Sequence, residues 1–159
     1  MDLLDRLLDH DHWATALLLD RSRNLTDAQL DQEFDIGHRT LRATFEHIIV
    51  NIAFWTALMT EQPVDEQQID RSLAGLIDLH ERAYATFATL ARQYRDEQRL
   101  DDTFLDHYDA RKSFGGTILH VVLHNAEHRT EALHILERLG VPDVPELDPG
   151  LRDYLMLNT

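Results

Sequence analysis

The chain contains no cysteine. That absence removes disulfides, thiolate metal ligands and a cysteine nucleophile together, and it makes a cytoplasmic location the default expectation. Cations are scarce as well: Lys and Arg number 15 against 29 Asp and Glu, giving a formal charge of −14. Neutralising phosphates supplies most non-specific nucleic-acid affinity. A chain this acidic, with its few bases spread out rather than striped, is expected to bind no nucleic acid, and its carboxylates read as a solvated surface. Long apolar runs are also missing. No stretch approaches the roughly 18 uninterrupted apolar residues of a membrane span, so no membrane partner is expected. The opening "MDLLDRLLDHDHWATALLLD" has acids in its first turn and no basic n-region, unlike a signal peptide. Only 6 Gly and 4 Pro interrupt 159 residues, and no solenoid repeat is visible. The composition, 43% hydrophobic and 28% charged, is that of one ordered globular domain able to bury a substantial core.

Apolar residues recur at helical spacing through most of the chain. Residues 2–23 set Leu3, Leu4, Leu7, Leu8, Trp13, Ala16, Leu17 and Leu18 on one stripe. Thr26 is the expected N-cap of a short turn in "NLTDAQLDQEF", and "DIGHRT" reads as a connector. A second long helix is predicted from about Thr40 to Glu61, ended by Pro63. A third starts near Asp70 or Ser72 and runs through "LAGLIDLHERAYATFATLARQYRDE". The stretch "QRLDDTFLDHYDARKSFGG" has no sustained period and reads as an irregular connection. A fourth helix spans about Phe114 to Leu139, with Gly140 at the expected C-terminal position and Pro142 beyond. Four long amphipathic helices without a convincing strand predict an all-α four-helix bundle with short extra helical turns. The connector between the second and third helices is short and the next one longer, so simple up-down connectivity does not follow.

The segment "ILHVVLHNAEHRTEALHILERLG" (residues 118–140) carries His120, His124, His128 and His134 where a bundle helix normally carries leucine. At about 100° per residue, His124 and His128 differ by about 40° in direction and sit one turn apart. Both lie at the border of the stripe continued by Ile135 and Leu139. A neutral imidazole there needs partners for both nitrogens, since an unpaired buried polar group costs roughly 1–3 kcal/mol. A metal ion satisfies one nitrogen of each ring and an outer acceptor the other. Spacing alone also fits a histidine-rich helix with no ion. On the second helix His47 borders the stripe of Leu41, Phe45, Ile48, Ile52, Trp55 and Met59, with Asn51 one turn later. If the two helices pair, His47 meets His124 and His128. Three histidines from two helices with one open position is the pattern of a catalytic metal site.

Other residues carry less. His120 is placed for a supporting role. His134 turns toward the polar side with Glu137. His10, His12, His38, His80 and His107 have no distinguishing partner spacing. Glu131 projects in line with His124, placed to orient an imidazole, bind the ion, shuttle a proton, or act only as an i, i+3 neighbour of His128. The string "HNAEH" formally matches the H-x-x-E-H peptidase pattern with Glu127 as base. Such peptidases need a larger scaffold and a downstream acidic ligand, and a peptidase is not expected.

With "HDHWATALLL", "TLRATFEHIIVNIAFW", "TLARQY" and "TILHVVLHNAEHRTEALHILERLGVP" in order, nearly the whole chain resembles the DinB/YfiT-like superfamily of metal-binding four-helix bundles. Members typically carry a helix-two histidine followed eight residues later by Trp, matched by His47 and Trp55. They then carry H-x-x-x-H-R-G-Q, matched by His124, His128 and Arg129. Thr130 stands for the usual Gly and Glu131 for the usual Gln, adding a negative charge near the expected cation. The resemblance implies His47, His124 and His128 as ligands of zinc or nickel, a small-molecule substrate and often a homodimer. Characterised relatives include S-transferases and isomerases that use a low-molecular-weight thiol. Three functions stay open: a metal-dependent enzyme activating a small thiol for transfer to an electrophile, a hydrolase activating water with Glu131 or Glu127 as base, and a non-catalytic metal-binding dimeric module.

Overall fold

The computed structural model describes residues 1–63 and 69–158. Six helices and one hairpin follow in order: α1 (Leu3–Arg21), α2 (Asp27–Leu30), α3 (Leu41–Met59), α4 (Leu73–Asp96), β1 (Thr103–Leu105), β2 (Arg111–Ser113), α5 (Phe114–Arg138) and α6 (Pro149–Leu157). The four long helices form the bundle, so the expected all-α class holds. Their starts are set locally. Asp2, Thr40, Ser72 and Ser113 each accept a hydrogen bond from the backbone N–H three residues on, the capping chemistry that satisfies otherwise orphaned donors. Thr26 caps α2 as anticipated, in a reciprocal box with Gln29. At the far end of α5, Gly140 takes φ +72. Val141 N–H then donates to Leu136 O at 3.1 Å and Gly140 N–H to Glu137 O at 3.0 Å, the paired bonds of a Schellman ending.

Around the bundle the order is α1, α4, α3, α5, each packed on its two neighbours. Ion pairs fix the directions. Arg92 pairs with Asp5 and Arg95 with Asp2, so α1 and α4 are antiparallel. The Tyr94 hydroxyl donates to Met59 O, and Arg42 donates to Arg71 O, so α3 and α4 run parallel. The connector therefore joins Met59 and Ser72 at opposite ends of the bundle. It was expected to be short, and part of it lies outside the described residues. The irregular stretch before α5 instead contains the antiparallel β1–β2 hairpin, with Thr103 opposite Ser113 and Leu105 opposite Arg111. Its loop is held by Asp106, whose Oδ1 accepts from the backbone of Tyr108 and Ala110, both at 2.9 Å. Three-residue strands leave too few positions for a period of two to show.

The core falls into two apolar clusters. One joins Leu8, Ile48, Ile52, Phe87, Phe114 and Val121; the other joins Leu18, Phe45, Ile49, Leu76, Ala132 and Ile135. On α1, α4 and α5 a buried polar layer lies between them: Asp11, Thr15, His80, Asn125 and Arg129. Arg129 pairs with the Asp11 carboxylate and reaches the Thr15 hydroxyl at 3.1 Å, while Asn125 donates to Asp11 Oδ2 at 2.9 Å.

Candidate metal centre

The polar layer occupies one side of α5. The other side of the same turns carries His124 and His128 into the groove against α3. Because α3 and α5 are antiparallel neighbours, the middle of one meets the middle of the other. His47 Nε2 lies 2.9 Å from His124 Nε2. Ring centroids are 4.7 Å apart for His47 and His124, 4.5 Å for His47 and His128, and 4.4 Å for His124 and His128. All three are half-buried. The structure thus brings together the three histidines singled out from the sequence.

A fourth imidazole joins them. His38, in the loop before α3, has its ring 3.9 Å from His47 and 5.0 Å from His128. Donor atoms of His38, His47 and His128 all lie within 4.8 Å of one another. Sequence reasoning passed over His38, because a loop has no periodicity to place a side chain. The only hint was its position two residues before Thr40, the cap of the helix that bears His47. That loop bends sharply, with Gly37 at φ +42 and Arg39 at φ +71.

The outer nitrogens are also engaged. Glu131 Oε2 lies 2.8 Å from His128 Nδ1, so the carboxylate accepts from the Nδ1–H. The Glu131 carboxylate sits directly against Gly37: a Cβ there would lie 2.6 Å from Glu131 Oε1 and closer still to the rest of the carboxylate. The Asn51 side-chain amide is 3.1 Å from His124 Nδ1. Either face of that amide serves a tautomer: the NH2 donates to a bare Nδ1, and after a flip the carbonyl accepts from Nδ1–H. Burial pushes the His47 and His124 pKa values down to about 4, and neighbouring imidazoles push the same way, chiefly His38 for His47 and His128 for His124. Both rings are neutral at pH 7, the form that ligates.

The remaining candidates separate cleanly. His120 is exposed at the groove's mouth, edge-on to Trp55 at 5.2 Å and 5.6 Å from the His124 ring. Glu127 is exposed. His134 faces solvent 3.5 Å from Glu137, as its position on the helix indicated. His80, which nothing in its spacing marked, is fully buried.

Imidazoles clustered in one groove, with a carboxylate against His128 Nδ1 and an amide against His124 Nδ1, suit a divalent ion. They define a four-helix bundle with a histidine group compatible with metal binding. Residues 1–152 match the model of the DinB family, and the chain belongs to that family. No curated protein matches it. No helix among the described residues is long and apolar enough to cross a membrane.

Proposed function

We propose that His47, His124 and His128 hold one divalent cation, zinc or nickel, and that the protein is a cytoplasmic enzyme activating a small thiol for transfer to an electrophile. The observation that supports this reading is the clustering of the three imidazole rings, with centroids 4.4–4.7 Å apart, and Glu131 and Asn51 behind them. A bound divalent cation lowers the pKa of a thiol, so that a thiolate nucleophile exists at neutral pH. The chain has no sulfhydryl of its own, so the sulfur must come from a low-molecular-weight thiol. Glu131 positions His128 through Nδ1, and Asn51 does the same for His124. Trp55 and His120 form an aromatic wall beside His124, where the apolar part of an electrophile packs. A homodimer belongs to the same proposal, with Leu119 and Leu123 exposed one turn apart on α5 as an apolar contact.

Elemental analysis of tag-free protein is expected to find the ion, and His47→Ala to lose it. Turnover of electrophiles should require added thiol. Turnover without thiol would move the assignment to hydrolysis by activated water. Absence of zinc and nickel binding by calorimetry, with His47→Ala unchanged in every property, would overturn it altogether.

His38 favours a second reading. An imidazole within reach of the His47 and His128 donors adds a ligand that would close the coordination sphere, the arrangement of a structural site. His38→Ala decides between them: a catalytic centre keeps its turnover, and a closed structural centre loses affinity for the ion.

A further inference from the structure

The seam on the opposite side of the bundle, between α1 and α4, carries a second group of donors. His12 on α1 places Nε2 3.1 Å from each carboxylate oxygen of Glu81 on α4. His80, the residue before Glu81, places Nδ1 3.9 Å from Glu81 Oε1. One donor atom from each of His12, His80 and Glu81 lies within 4.8 Å of the other two. The two imidazole rings are 5.2 Å apart and nearly parallel, tilted by 12°.

The second observation is independent of that proximity. His80 is fully buried, yet neither ring nitrogen has a hydrogen-bond partner among the described residues. A buried polar group left this way costs roughly 1–3 kcal/mol, and the His12–Glu81 hydrogen bond alone does nothing to relieve it. Burial holds the ring neutral, with the pKa pushed down to about 3, helped by His12 and Arg129. A neutral imidazole with a free lone pair is a ligand in waiting. The nearby Arg129 charge is countered by its buried pair with Asp11. Glu81 is exposed and His12 half-exposed, so two of the three donors face solvent.

We propose that His12, His80 and Glu81 form a second divalent-cation site, separate from the α3–α5 groove, that clasps α1 to α4. Two imidazoles and one carboxylate suit zinc. The ion supplies the partner His80 lacks and ties the two helices at mid-height.

The test is equilibrium dialysis against zinc followed by elemental analysis, with helix content checked by circular dichroism. Wild-type protein is expected to hold two ions per chain and the His47→Ala/His124→Ala variant one. Adding His12→Ala or Glu81→Gln, both changes at accessible positions, should remove that remaining ion. Zinc should raise the thermal midpoint of the groove variant, and this rise should vanish with His12→Ala. A groove variant that holds no zinc, or one whose ion survives both His12→Ala and Glu81→Gln, overturns the proposal. If wild-type protein holds one ion, its loss with His47→Ala overturns the α1–α4 site and leaves the groove reading standing. Its loss with His12→Ala does the reverse.

Discussion

Glu131 touches both the imidazole of His128 and the backbone of Gly37, so one carboxylate links α5 to the loop that carries His38. Gly37 is needed twice over: its φ of +42 is costly for a residue with a Cβ, and a Cβ would occupy the carboxylate's seat. Gly37→Ala is expected to cost roughly 1–2 kcal/mol from the backbone alone and to weaken zinc binding by displacing Glu131; urea unfolding and zinc titration read the two effects. Glu131→Gln keeps an acceptor for His128 Nδ1 and removes the charge. If Glu131 only positions the ring, the variant retains turnover at saturating zinc; if it carries a proton, kcat falls while zinc affinity holds. Asp11 and Arg129 give a sharper expectation. Both are buried, and Asp11→Ala strands the guanidinium without its counter-charge, a loss of about 3–5 kcal/mol measurable by denaturant unfolding. At this scale the sequence was informative about His47, His124 and His128, because helical periodicity orients a side chain from spacing alone. It was silent about His38 and His80, whose settings depend on a loop's bend and on which helix covers them.

At the scale of the elements, capping residues carried most of the legible information. Thr26, Thr40, Gly140 and Pro63 set boundaries that the structure reproduces within a residue or two. Ser113 both ends β2 and caps α5, accepting from Gly116 N–H at 3.1 Å. Ser113→Ala is expected to cost about 1 kcal/mol, seen as a lower thermal midpoint, with the hairpin pairing intact. The hairpin itself escaped notice for lack of length and of a recognisable two-residue turn. Its buried apolar content is one side chain, Phe104, stacked on Phe114 at 5.5 Å, which in turn stacks on Tyr94 at 3.9 Å. The parallel course of α3 and α4 was equally hidden. Helix direction follows from contacts such as Tyr94 with Met59, between residues far apart in sequence, and local patterns carry no record of them.

For the whole molecule, the buried imidazoles link stability to pH. His47 and His124 titrate near 6.5 in the unfolded chain and at about 4 in the folded one. Between those values the unfolded state binds more protons, so stability is full above about pH 6.5 and declines as the pH falls toward 4. His80, at about 3, extends the decline in the same direction. Thermal melts of chelator-treated protein from pH 8 to pH 4 should show a midpoint level at the alkaline end and falling on the acid side. Bound zinc should steepen the fall, since protons then compete with the ion. The polar layer between the two apolar clusters has a separate effect on the whole bundle. Sliding α1 along α5 by one turn, about 5.4 Å, would drive Asp11 among aliphatic side chains and detach it from Arg129. The layer works as a ruler: it permits one axial setting of the helices, and with it one height at which the imidazoles of α5 can face those of α3. A chain with Asp11, Asn125 and Arg129 all replaced by well-packed aliphatic residues should therefore still fold, yet bind zinc more weakly, because nothing would mark the depth at which its helices stop.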